Sequence, residues 1–182
     1  MTGQRETAMT VRFLRSWTLC LLLVASPGAA RNAAAQNPGA QNPANLTWPD
    51  ITLTRLDGAP AGSLVLSGDR HLVVVVRAAC APCDALLQQL ALEAGAGHVA
   101  ADRLTVILSG VGGAEAATLR ARASGLPDAM WFVDATGETV RRLSAQTSPA
   151  LFGLRRRSVV WTLRGDVLTD PRMKEVVLSW LR

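Results

Sequence analysis

Hydrophobic and polar positions divide the chain after residue 45 into short alternating runs and longer apolar ones. In DITLTRLDG, Ile51 and Leu53 alternate with Thr52 and Thr54 up to Asp57-Gly58, which predicts a strand closed by a tight turn. SLVLSGDRH predicts a second short strand. LVVVV at 72–76 is apolar at consecutive positions, the pattern of a strand covered on both faces. Leu86, Leu87, Leu90 and Ala94 then recur at helical spacing until Gly95 and Gly97. RLTVILS at 103–109 is another buried strand, so strand, helix and strand form a right-handed parallel crossover. A helix over about Ala114 to Ser124 and a strand MWFVD follow, the latter turning at Ala135-Thr136-Gly137. PALFGL (149–154) and SVVWTLRG (158–165), separated by Arg155-Arg156-Arg157, predict an antiparallel hairpin. The last helix, PRMKEVVLSWLR, presents Val176, Val177, Trp180 and Leu181 on one face. The sum is an α/β sandwich.

With 182 residues, 49% hydrophobic and 18% charged, the chain holds one domain with a proper core rather than two. Its net charge of +5 is concentrated at one end. Four basic side chains (Arg5, Arg12, Arg15, Arg31) and one acidic one (Glu6) lie in the first 35 residues, leaving 15 basic and 13 acidic side chains beyond. An excess of two is too small to argue for nucleic acid or an anionic membrane as a partner. Arg12 and Arg15 precede the apolar stretch Trp17 to Ala25 and then SPGAARNAAAQ, the layout of a secretory signal peptide over residues 1–35. Ala33 and Ala35 fit cleavage before Gln36, with Gly28-Ala29-Ala30 as a second site. Left uncleaved, the segment would instead serve as a membrane tether. QNPGAQNPAN, residues 36–45, reads as a flexible linker, and the folded domain spans 46–182. Cys20 lies in the apolar run and leaves with the signal, so the mature chain keeps Cys80 and Cys83. An even count in an exported chain fits a disulfide-permissive compartment, periplasmic or otherwise outside the cytoplasm.

RAACAPCDALLQQL, residues 77–90, places these two cysteines where the buried strand gives way to a helix. The pair could be a structural staple, half of a zinc site or a working dithiol. Zinc normally requires four protein ligands, and the only further soft candidates are His71, at the far end of the strand, and His98, past the helix. No metal is expected. A ring closing two intervening residues removes little entropy from the unfolded chain, so it is a poor staple. The unpaired amides and dipole of a helix start favour a thiolate on Cys80, and Pro82 suits the first helical turn, where no amide bond is lost. A redox-active dithiol is the favoured reading.

HLVVVVRAACAPC, together with WPDITLTRLDGAPAGSLVL and the segment from Ala114 to Val140, resembles the thioredoxin superfamily. Within it the chain is similar to the exported TlpA-like and ResA-like thiol-disulfide oxidoreductases. The likeness spans about residues 47–182. CAPCDALLQQL is also similar to the MauD-like branch associated with maturation of methylamine dehydrogenase. The resemblance implies a thioredoxin-like three-layer sandwich, a mixed central sheet flanked by helices. It implies that Cys80 attacks a substrate disulfide and Cys83 resolves the mixed disulfide. It further implies a cis bond at Ser148-Pro149, with Ala81, Pro82, Ser148 and Pro149 forming the substrate-binding surface. Partners would be exported client proteins carrying disulfides and a membrane or periplasmic redox partner that supplies electrons; no organic cofactor is required.

The chain departs from its relatives in places. Ala79 stands where many have an aromatic residue, Arg77 and Ala78 replace apolar-acidic surroundings, and Val74 occupies the place of a buried acid six residues before the first cysteine. The departures at Val74 and Ala79 support a rival, a non-catalytic thioredoxin-fold module that binds a partner along the Pro149 edge. A thiol peroxidase is a third reading. Three other features read as structural: Gly110, Gly112 and Gly113 as a plain strand-to-helix turn, Arg155–Arg157 as a solvated hairpin tip, and Trp48, Trp131, Trp161 and Trp180 as scattered packing residues.

Overall fold

The computed structural model describes residues 46–62, 66, 69–110 and 113–182. The signal segment, the linker and most of the SLVLSGDRH strand expectation lie outside the described residues.

The chain runs through β1 (Leu46–Thr47), β2 (Thr52–Arg55), β3 (Pro60–Gly62), β4 (His71–Arg77), α1 (Ala81–Gly95), β5 (Leu104–Ser109) and α2 (Ala114–Ala123). It continues through β6 (Met130–Asp134), α3 (Glu138–Arg142), β7 (Ala150–Arg155), β8 (Ser158–Arg164) and α4 (Pro171–Leu181). The eight strands form one sheet in the order β1-β8-β7-β4-β5-β6-β2-β3. β4, β5 and β6 are parallel, whereas β7 runs antiparallel to β4 and forms the expected hairpin with β8. β4 is central, and Leu72 to Val76 are all fully buried. Five consecutive apolar side chains suit a strand sealed on both faces, and the four valines add β propensity.

Alternate residues of the sheet feed two cores. Val74, Val76, Val106, Leu108 and Leu151 face Cys83, Leu86, Leu87 and Leu90 of α1, together with Ala117 and Ala121 of α2 and Val177, Trp180 and Leu181 of α4. Val73, Val75, Ile107, Phe132 and Phe152 face Trp48, Ile51, Leu53 and the α3 flank at Val140 and Leu143. Each large apolar side chain so buried contributes about 1.5–3 kcal/mol. The result is a mixed sheet with helices on its faces, the thioredoxin-like α/β sandwich expected.

Three details correct the reading of the sequence. Val176 is 42% exposed, and Leu178 takes its place on the buried face of α4 beside Val177, Trp180 and Leu181. The Ala135–Gly137 turn leads into α3, whose start is capped by the buried Asp134 carboxylate accepting from the Glu138 and Thr139 amides at 3.0 and 2.8 Å. Arg157 is not a solvated tip residue: it pairs with Asp50, and its carbonyl accepts from the Trp48 amide at 2.7 Å. The tryptophans are packing residues, as expected, with Trp161 edge-on to Trp180 at 5.6 Å and Trp48 edge-on to Phe152 at 5.8 Å. Gly153 makes room for the first pair, since a β-carbon there would lie 2.2 Å from the Trp161 ring.

Candidate functional site, a disulfide at the start of an amphipathic helix

β4 delivers the chain from the core to the sheet's C-terminal edge, where Arg77, Ala78 and Ala79 are exposed. Cys80, still in an extended conformation, becomes the N-cap of α1. Its carbonyl accepts from the amides of Cys83 at 3.0 Å and Asp84 at 3.1 Å, and its Sγ receives the Cys83 amide at 3.3 Å. A sulfur so placed does what a Ser or Asp cap does, and an anionic sulfur does it better. Ala81 and Pro82 open the helix and are exposed, so the proline removes no intrahelical bond.

Cys80 and Cys83 are joined by a disulfide, their Cα atoms 5.2 Å apart. The two sulfurs differ in surroundings. Cys80 is partly exposed at the helix start, whereas Cys83 is fully buried among the aliphatic side chains of β4, α1, β5 and β7. Val74 belongs to that lining, paired across the sheet with Val106 on β5 and Leu151 on β7. The only buried acid among the described residues is Asp134, whose carboxylate is held by Thr136 and the start of α3.

The Ser148–Pro149 bond is cis, as the resemblance implied. The β4–β7 ladder ends with Val75 opposite Ala150, which sets Ser148 and Pro149 beside the last residues of β4 and the turn toward Cys80. Pro149 is buried and its carbonyl accepts from the Gly165 amide at 2.8 Å. Ser148 lies beyond the last paired residue, with its hydroxyl buried and unpartnered. The six residues expected to form the site therefore gather at one end of the sheet.

The two histidines are elsewhere. His71 begins β4 at the opposite end, bonded to Thr105 Oγ1 at 2.6 Å. Burial pushes its pKa down from 6.5 to about 4, with Asp102 pulling weakly the other way. His98 is bonded to Glu93 at 3.0 Å; hydrogen bonds from Lys174 and then His98 hold that carboxylate down at about 2. Gly113 sits at the N-cap of α2, consistent with a turn.

Two residues of the site escaped the sequence reading. Arg120 of α2 donates to the carbonyls of Arg77 and Ala78 and to Asp84 Oδ1, each at 2.6 Å. Its partner Asp84 follows Cys83 directly. Their separation of 36 residues leaves no local pattern by which sequence could have paired them.

No protein-family model matches the chain, and no curated protein matches it by sequence. Solved structures do match by shape. A secreted thiol-disulfide isomerase from Corynebacterium glutamicum superposes with a TM-score of 0.60 at 18% identity, over 81% of this chain and 93% of that one. A secreted Mycobacterium tuberculosis disulfide oxidoreductase homologous to Escherichia coli DsbE gives 0.52 at 20% identity, over 63% and 83%. The peroxidoxin BcpB of M. tuberculosis gives 0.54 at 17% identity, over 76% and 97%. The chain thus has the thioredoxin-like fold of these proteins. That fold carries both disulfide exchange and peroxide chemistry, so the activity has to be argued from the site.

Proposed function

We propose that the chain is an exported thiol-disulfide oxidoreductase that reduces or exchanges disulfides in other exported proteins. The observation that carries this reading is the contrast between the two sulfurs: Cys80 caps a helix and reaches solvent, while Cys83 is fully buried one turn away. In the reduced protein the Cys80 thiolate attacks a client disulfide, forming a mixed disulfide and releasing one client thiolate. Cys83 then gives up its proton and attacks Cys80 Sγ, which releases the second client thiolate and closes the Cys80–Cys83 disulfide. Two electrons pass to the client, and a membrane or periplasmic dithiol partner returns them.

Ala81, Pro82 and Ser148, with the buried Pro149 beneath them, form the surface on which an extended client segment lies. Ser148 supports that role because it extends beyond the β4–β7 ladder, where a client backbone could add. The basic start and apolar stretch of the first 35 residues support export, as do the secreted proteins sharing the fold. Among the described residues no helix is long and apolar enough to cross a membrane, so a tether would have to come from the N-terminal segment.

Reduction of insulin by dithiothreitol tests the reading. The purified chain should accelerate it several-fold, and Cys80→Ser should abolish the acceleration. A wild-type chain that leaves the uncatalysed rate unchanged would favour a partner-binding module instead; consumption of peroxide without insulin reduction would favour a peroxidase.

A further inference from the structure

Arg120 brackets the dithiol from outside the motif. Its guanidinium reaches back to the carbonyls of Arg77 and Ala78, just before the Cys80 turn, and forward to Asp84, just after Cys83. The side chain is only 13% exposed, although it lies at the sheet's edge. A lone surface ion pair holds little geometry, but a planar fork with one charged and two carbonyl acceptors fixes all three relative to one another. Ala78 lies past the last residue of β4, so the sheet itself does not hold its carbonyl.

We propose that Arg120 is a positioning residue for the dithiol. It fixes the strand-to-helix turn that keeps Cys80 Sγ over the Cys83 amide, and it neutralises the Asp84 carboxylate that would otherwise oppose a thiolate beside it. The inference rests on the dithiol reading above. Other charged side chains around the site are Arg77, closing β4, Arg164 of β8, paired with Ala150, and Asp166, next to the Gly165 that bonds Pro149. Ser148, from the loop before β7, is uncharged. None of these changes in the variants below, so the balance between Arg120 and Asp84 alone is varied.

Without Arg120 the Asp84 charge is unpaired and the turn is released, and both effects disfavour the Cys80 thiolate. Without the Asp84 charge the guanidinium is left in excess, which favours it. Alkylation of Cys80 by iodoacetamide in the reduced protein, followed by mass spectrometry of its peptide across a pH series, reads this without any client. R120Q should slow alkylation at neutral pH roughly three- to tenfold and move its pH profile upward, since one pKa unit is tenfold. D84N should speed alkylation and move the profile downward. R120Q/D84N, neutral again but without the fork, should recover part of the loss, and R120K, with charge but no fork, should lie between R120Q and wild type. Because a destabilised thiolate weakens the reduced form, R120Q should also shift equilibrium with glutathione toward the Cys80–Cys83 disulfide. A tenfold shift there is about 30 mV.

The proposal is overturned if R120Q melts like wild type yet alkylates with an unchanged pH profile, or if D84N moves the profile the same way as R120Q. Should R120Q fail to fold, D84N decides alone: faster alkylation supports the proposal, and unchanged or slower alkylation overturns it. Failure of the underlying reading shows separately, as a wild-type chain inert toward insulin.

Discussion

Val74 is the residue at which this site differs most in chemistry from the pattern it resembles. It lies in the core that encloses Cys83, fully buried between Val106 and Leu151, with no carboxylate to receive a proton from the resolving thiol. Aliphatic burial disfavours a thiolate on Cys83, so release of the mixed disulfide should be slow at neutral pH and quicken as pH rises. Val74→Glu should accelerate that release at neutral pH and flatten its pH dependence, at a cost of about 1–3 kcal/mol for burying an unpaired carboxyl. Stopped-flow decay of a preformed mixed disulfide, run beside a denaturant melt, checks both parts. An unchanged pH profile would mean that another group supplies the base. At this scale the sequence was informative where geometry is local: a stretch of 14 residues places two cysteines at a strand-to-helix junction, where they form a disulfide. It was silent where partners come from afar. Nothing near Arg120 marks it as the residue that holds Ala78 and Asp84, and nothing near Arg157 foretells its pairing with Asp50.

Among the elements, those with a strong hydrophobic period were legible nearly to the residue. β4, α1, β5, β6, the β7–β8 hairpin and α4 all fall where the pattern placed them, because each buries a full face or two and the apolar spacing records it. α3 was missed for the complementary reason. It is five residues long, carries four polar or charged side chains in ETVRR, and forms because Asp134 caps it from the end of a neighbouring strand. The face of α4 differs from the expected one at a single member: Val176 and Leu178 are both apolar, and it is Leu178 that is buried. The placement of Pro149 beside the Cys80 turn needed the resemblance, since only the β4–β7 register brings residues 69 positions apart together.

For the molecule as a whole, the Cys80–Cys83 disulfide and the buried His71 lie at opposite ends of β4. His71 is neutral in the fold, its pKa held at about 4 by burial, against 6.5 when exposed. Below pH 6.5 the unfolded chain takes up a proton that the folded chain refuses, so stability falls as pH drops from about 6.5 to about 4 and then levels off for this group. The full loss is on the order of 3 kcal/mol, and His71→Asn should remove it. Urea melts of the two proteins between pH 7 and pH 4 check this: curves of equal slope against pH would rule His71 out as the source. At the other end of β4, the function proposed above has the partly exposed capping sulfur of Cys80 attack and the buried sulfur of Cys83 resolve. Its most direct test is trapping, with each single-cysteine variant reduced, mixed with a disulfide-bonded protein and resolved on a non-reducing gel. Cys83→Ser should accumulate a covalent adduct through Cys80 that dithiothreitol releases, and Cys80→Ser should form none. Equal trapping by both variants, or by neither, would contradict the account.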